Sequence, residues 1–195
     1  MLRAGPLPLL LLATALPALA QSPRSPDPFS TVAISLGAVF EADRSRNLER
    51  WDTSPGLEAR VLFPFYAGSV ELGAAQASFE SADPDIPGFR ARYIFIGWGA
   101  GVRPLTRITW RTGARLGVYD LQFDDESIPD YARSENEVAS ELMTELDIAF
   151  GHGWSVAAAA GGRVVFTEPR MRQLALSASI RRTFASPEWL RDFLD

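Results

Sequence analysis

The side chains able to do chemistry in this chain are arginines and carboxylates set at alternate positions within apolar runs. Arg60, Arg103, Arg111, Arg115, Arg163 and Arg181 stand against Glu58, Glu71, Glu137, Glu141, Glu145 and Asp147, a nearly balanced set. Enclosed together, they would form a salt-bridged plug, because charge taken out of water must find a partner. Lining an open path, they would instead select ions or small solutes. His152 is the single histidine and lies between Gly151 and Gly153. No serine and acid beside it suggest an activated nucleophile, so it reads as a turn residue, and neither a catalytic residue nor an enzyme activity is expected. Two acidic segments, Glu80-Asp83-Asp85 and Asp124-Asp125-Glu126-Asp130-Glu135, could offer oxygen ligands to a divalent cation if they converged. Their spacing fits no EF-hand, so solvated loop charge is expected, with no metal and no cofactor.

Composition narrows the class. The chain has 195 residues, 19 basic and 24 acidic, for a net charge of −5, and it contains no cysteine and no lysine. An acidic chain without a basic cluster is a poor ligand for a phosphate backbone, so no nucleic-acid partner is expected. The missing cysteines exclude disulfide frameworks and thiolate zinc sites. Residues 1–20 combine Arg3, a short apolar stretch from Leu9 to Leu16 and the small-residue motif Ala18-Leu19-Ala20. That is the pattern of a cleaved signal peptide, too short to span a bilayer as a helix. Gln21 follows rather than cysteine, so no lipid anchor is indicated. Residues 21–28 form a Ser/Pro-rich lead.

From residue 29 to residue 184 the dominant pattern is alternation with period two, the mark of strands. Eight runs can be drawn: Thr31 to Glu41, Leu57 to Phe65, Ser69 to Glu80, Phe89 to Arg103, Ile108 to Gln122, Asn136 to Phe150, Trp154 to Thr167 and Arg172 to Phe184. The third is the weakest, and a bulge near Ala75 is expected to bring Phe79 onto the face of Val70, Leu72 and Ala74. The sixth fits a strand but also a helical stripe of Val138, Leu142, Met143, Leu146, Ala149 and Phe150. The strand reading is preferred because it fits its neighbours. Most long connections alternate with tight turns at Tyr66-Ala67-Gly68, Pro104 to Arg107 and Gly151-His152-Gly153, as in an up-and-down antiparallel barrel.

Volume decides which face is inside. An eight-stranded barrel has an interior just wide enough for side chains to fill it. One face carries Trp98, Trp110, Trp154 and many Leu, Ile, Val and Phe; the other carries Gly37, Gly73, Gly97, Gly99, Gly101, Gly113, Gly117 and Gly161. Glycine inside a narrow lumen makes room for Arg and Tyr, whereas on a solvated wall it weakens a strand for no packing gain. The bulky face is therefore expected to meet lipid. The aromatics Phe63, Phe65, Trp110, Phe150, Trp154 and Phe184 fall near short-turn ends, where an interfacial girdle would lie. The alternative is a soluble periplasmic, lipocalin-like ligand-binding barrel with the apolar face inward.

With its signal peptide, its amphipathic runs and the strand-end stretch Gly97-Trp98-Gly99-Ala100-Gly101-Val102-Arg103-Pro104, the chain resembles eight-stranded bacterial outer-membrane barrels of the OmpA/OmpX-like class. The resemblance is one of pattern and covers about residues 29–184. It implies an all-β, eight-stranded, up-and-down antiparallel transmembrane β-barrel in the outer membrane, with both termini in the periplasm. It further implies a structural, envelope or surface-interaction role, with the lipid bilayer, lipopolysaccharide and the barrel assembly machinery as partners. A narrow ion or small-solute channel is the alternative within that class. Phe184 takes the place of the aromatic residue that usually ends the last strand, although Arg182 stands where an apolar residue is usual. The first loop, with Arg44, Arg46, Arg50, Asp43, Glu49 and Asp52 around Trp51, could touch lipopolysaccharide phosphates or a surface partner. Residues 185–195 read as a short amphipathic helix: Ser186 can cap it, Pro187 suits its first position and Trp189 pairs with Phe193.

Overall fold

A computed structural model describes residues 27–43, 50–81, 83, 86–124 and 134–189. Eight strands follow one another: β1 Thr31–Asp43, β2 Trp51–Phe65, β3 Gly68–Ser81, β4 Phe89–Leu105, β5 Ile108–Phe123, β6 Ser134–Gly151, β7 Trp154–Val165 and β8 Met171–Ala185. Each pairs antiparallel with its sequence neighbour, and β1 pairs with β8 to close the barrel. Closure leaves no free sheet edge, so the backbone groups along these seams are satisfied within the wall.

Alternation along the runs becomes two surfaces. Ile34, Leu36, Leu72, Ile94, Ile96, Trp98, Leu116, Leu142 and Ile180 are exposed, while the intervening positions turn inward and are buried or half-buried. The apolar face is therefore the outer one, and the soluble barrel with an apolar interior facing inward is overturned. The region open to a helical reading is strand β6, paired with β5 from Gln122↔Ser134 to Ile108↔Ile148.

The bulge expected in β3 is absent. β3 runs against β4 without a break from Ser69↔Gly99 to Phe79↔Phe89, and the register shift lies in β2, between Ser54 and Leu57. Phe79 consequently keeps the phase of Glu71 and Ala75 and points into the barrel, with 2 % of its surface exposed. Gln76 and Ser78 accordingly remain on the outer face. The register explains why this is tolerable there. In one outer row Ala74 lies beside Ile94, which lies beside Val118 and then Val138. One pleat nearer the long connections, the row reads Gln76, Arg92, Asp120, Asn136. The apolar band ends between these rows, and β3 to β6 continue past it with polar outer surfaces.

The band has the right height for a bilayer. Along β4 its end residues are Ile94 and Val102, about 20 Å apart in rise at about 3.3 Å per residue and a tilt of about 40°; half a pleat beyond each brings the band to about 25 Å, the height expected of a lipid-facing band.

Candidate functional site: the barrel lumen

Strand closure brings together inward side chains that are far apart in sequence. Arg60 on β2 donates to Glu145 on β6 at 2.6 Å, lies 2.9 Å from Glu58 and 3.5 Å from Glu71, and also reaches Ser35 and Ser179. Glu71 on β3 accepts from Arg111 at 2.8 Å and Arg115 at 2.7 Å, both from β5. Arg115 also bonds Glu141 at 3.1 Å and Glu58 at 3.4 Å. Glu141 in turn accepts from Arg163 of β7, at 3.0 Å from Nε and 2.8 Å from Nη2. Towards the tight turns, Arg181 of β8 bridges Glu145 at 2.7 Å and Asp147 at 2.8 Å, and Ser155 donates to Asp147. These contacts make one connected chain of charge through the lumen. Each arginine in it meets at least two carboxylates, the arrangement that buried charge requires to offset desolvation.

The glycines act as spacers. A Cβ on Gly161 would lie 2.6 Å from a Glu141 carboxylate oxygen, and one on Gly97 would lie 2.8 Å from a Glu71 oxygen. The absence of a side chain at these points is what lets both carboxylates lie across the lumen.

Towards the long connections the chemistry changes. Glu41 of β1 is buried and bonds Arg163, and Tyr119 donates its hydroxyl proton to Glu41 at 2.7 Å. Gln173 donates to the Tyr119 oxygen at 3.1 Å. The guanidinium of Arg163 stacks 4.2 Å from the Tyr93 ring centre, and that of Arg115 lies 4.5 Å from Phe95. These stacks join the ionic chain to an aromatic cluster. Phe79 and Phe89 stack at 4.4 Å, Phe123 and Trp51 pack against Phe89, and the Trp51 indole donates to the Pro87 carbonyl at 2.9 Å. Leu121, Val165 and Met171 complete this apolar end. At the turn end the lumen widens into a vestibule of about 320 Å³, lined by Arg103, Arg107, Asp147, Trp154, Ser155 and Thr183 among others.

Measured against the charges singled out in the sequence, the structure joins Arg60, Arg111, Arg115, Arg163, Arg181, Glu58, Glu71, Glu141, Glu145 and Asp147. It does not join Arg103, which is exposed at the vestibule and makes no ion pair among the described residues, because β4 there has passed the last lumen layer. Glu137 is half-buried near the other rim, likewise outside the network. Glu41, Tyr119 and Gln173 belong to it but were not singled out. Glu41 shares the phase of buried Ser35 and Val39 along β1, and that phase is the signal that points it into the lumen. The aromatic end was also missed: Phe79 had been assigned to the outside, and Phe89 lies at the start of its run, where alternation says least.

Phe63, Phe65, Trp110, Phe150, Trp154 and Phe184 lie on the outer face near the tight-turn rim. Phe29 packs on Phe63 and Phe65, the Trp110 indole donates to Thr144 at 2.6 Å, and Arg182 lies over the rings of Trp154 and Phe184. Residues 1–26, which include the signal-peptide region, lie outside the described residues, as do Arg44, Arg46 and Glu49 of the first loop and residues 190–195 of the tail. Of the expected tail helix, only Glu188 and Trp189 are described as helical.

An apolar outer band on a closed ring of strands, with charged side chains inside, defines an eight-stranded transmembrane β-barrel. No family model matches the chain, and no curated protein does. Among solved structures, it is similar to Neisserial surface protein A, with a TM-score of 0.63 and 16% identity over 78% of this chain and 97% of that one. It is also similar to Ail, the attachment invasion locus protein of Yersinia pestis, with a TM-score of 0.57 and 11% identity over 80% and 99%. A third similarity is to the outer-membrane protein AlkL, with a TM-score of 0.52 and 12% identity over 95% and 97%. At these identities the likeness is one of fold.

Proposed function

We propose that this chain is an integral protein of the bacterial outer membrane, exported by its amino-terminal signal and inserted by the barrel assembly machinery, with a structural or surface-interaction role and a lumen closed to ions. The observation that carries the reading is the combination of connected ion pairs in the lumen with an apolar aromatic cluster across its loop-side end. An ion entering from the vestibule would have to displace arginine–carboxylate pairs and then cross the Phe79–Phe89 layer, where no polar group replaces its hydration shell. The one serine–carboxylate contact described in the network, Ser155 to Asp147, has that same carboxylate oxygen held by Arg181 at 2.8 Å, which weakens it as a base, so the role is read as non-enzymatic.

Three of the similar proteins support the location by their descriptions: a Neisserial surface protein, an attachment and invasion protein, and an outer-membrane protein in lipid bilayers. Ail has also been seen with a heparin analogue, sucrose octasulfate. The acidic loop sequences here, with Glu80, Asp83, Asp124, Asp125, Glu126 and Asp130, disfavour a polyanion of that kind at the loops.

The test combines two measurements on protein refolded in detergent micelles. A folded barrel should resist SDS until boiled, so unboiled and boiled samples should migrate differently. Reconstituted in planar bilayers, the same material should show no discrete conductance steps. Reproducible steps from the heat-shifting species would overturn the closed lumen and favour the narrow channel. Detergent-free solubility without a heat shift would overturn the membrane location.

A further inference from the structure

We propose that the vestibule at the tight-turn end of the lumen binds a soluble phosphate dianion between Arg103 and Arg107. This rests on the closed lumen proposed above, which makes the vestibule a pocket with a floor rather than the mouth of a path. Arg60, Arg111, Arg115, Arg163 and Arg181 face the lumen, and each meets at least two carboxylates. Arg103 and Arg107 line the vestibule, yet neither side chain has an ion pair or hydrogen bond among the described residues. Between the pairs Val102↔Trp110 and Leu105↔Ile108, β4 carries one residue more than β5. Such a bulge bends the strand and re-aims side chains at a barrel rim. The Arg107 carbonyl accepts from the Ala149 N–H of β6 at 2.8 Å, which ties the turn to the neighbouring strand.

The other lining groups favour an anion. Asp147 is the carboxylate of the vestibule, and one of its oxygens accepts from Arg181 at 2.8 Å and from Ser155 at 2.9 Å, so its charge is countered from within the wall. Thr109 on β5 and Thr183 on β8 bring hydroxyls that no described group engages. Uncommitted positive charge and hydroxyl donors in about 320 Å³, the small end of ligand pockets, fit a compact oxyanion. One guanidinium fork already satisfies a planar carboxylate; two forks with added hydroxyls suit a tetrahedral group with oxygens on several sides. The ligand comes from the aqueous side of the tight turns. Trp110 marks the outer face beside this turn, so the strand wall stands between the two arginines and any lipid.

The experiment titrates the full chain, refolded in a phosphate-free non-ionic detergent, with inorganic phosphate and separately with glycerol 3-phosphate, followed by phosphorus NMR. Both should bind saturably at one site. Tighter binding of the ester assigns a phosphate monoester as ligand, equal or weaker binding assigns free phosphate, and either result supports the site. A hydrogen bond to a charged group is worth about tenfold in affinity or more, so Arg103→Gln and Arg107→Gln should each weaken binding about tenfold, and the double variant should show no saturation. Arg103→Lys/Arg107→Lys, which keeps the charge but not the forks, should fall between. Arg92→Gln, on the outer face at the other rim, should match wild type. Unchanged binding in the double glutamine variant overturns the site, and so does an equal loss in Arg92→Gln, which would report only general charge. Acetate competing as well as phosphate overturns the preference for a tetrahedral anion. Competition by phosphatidylglycerol in mixed micelles overturns a soluble ligand. Every variant is checked for the heat-dependent gel shift. Conductance steps in planar bilayers with saturable binding intact would overturn the closed lumen but not the binding. Silent bilayers without saturable binding would overturn the site alone.

Discussion

Replacing Arg60 by methionine tests whether the lumen charges hold the barrel together. The described lumen network places Glu41, Glu58, Glu71, Glu141, Glu145 and Asp147 against Arg60, Arg111, Arg115, Arg163 and Arg181. Glu145 would keep Arg181 at 2.7 Å and Glu71 would keep Arg111 and Arg115. Glu58 would lose its 2.9 Å partner and retain only Arg115 at 3.4 Å, with its side chain 2 % exposed. The loss thus falls on one carboxylate. Removing one partner of a buried pair costs about 3–5 kcal/mol, and partial rescue by Arg115 argues for the lower end, about 3 kcal/mol. With a urea dependence of about 2 kcal/mol per molar, the unfolding midpoint in lipid vesicles should fall by about 1.5 M. The double variant Arg60→Met/Glu58→Gln, which removes the stranded charge as well, should recover at least half of the loss, giving a positive coupling energy. An Arg60→Met midpoint within about 0.25 M of wild type would refute the reasoning, because it would mean that water or rearrangement already compensates each charge.

Further outcomes follow from the packing. Gly161→Ala should cost about 1–3 kcal/mol in the same titration, because its methyl would push Glu141 from Arg115 and Arg163; an unchanged midpoint would show that the carboxylate moves freely. His152 sits in its turn at a φ of 53°, a left-handed conformation that asparagine adopts readily. His152→Asn should therefore leave stability unchanged or raise it by a few tenths of a kcal/mol, and a loss above about 1 kcal/mol would show that the imidazole does more than occupy the turn.

Much of this molecule could be read from period two alone. In β4, Tyr93, Phe95 and Gly97 alternate with Ile94, Ile96 and Trp98, and no barrel can bury both sets. Side-chain volume summed over the strands then assigns the faces: the set rich in Trp, Leu, Ile and Val is too bulky to fill a narrow lumen, and glycine wastes a lipid-facing position. The strands, the turns and the inward phase of most lumen charges are consequences of such local facts. Phe79 shows where that reading fails, since the sequence invited a bulge in β3 to keep an aromatic ring outside. The continuous pairing of β3 with β4 instead puts it inside, stacked on Phe89. Outward Gln76 and Ser78, which looked like defects in an apolar face, lie beyond the edge of the band.

The partners of the charges belong to the closed structure. Arg60 and Glu145 are 85 residues apart, and Arg163 and Glu41 are 122 apart. Alternation says only that such side chains face inward. Which layer each occupies depends on strand tilt and stagger around the whole ring, a property of closure that no single strand contains. The same closure lifted Arg103 out to the vestibule, brought Glu41 under Tyr119, and gathered Phe79, Phe89 and Phe123 from three strands into one apolar end.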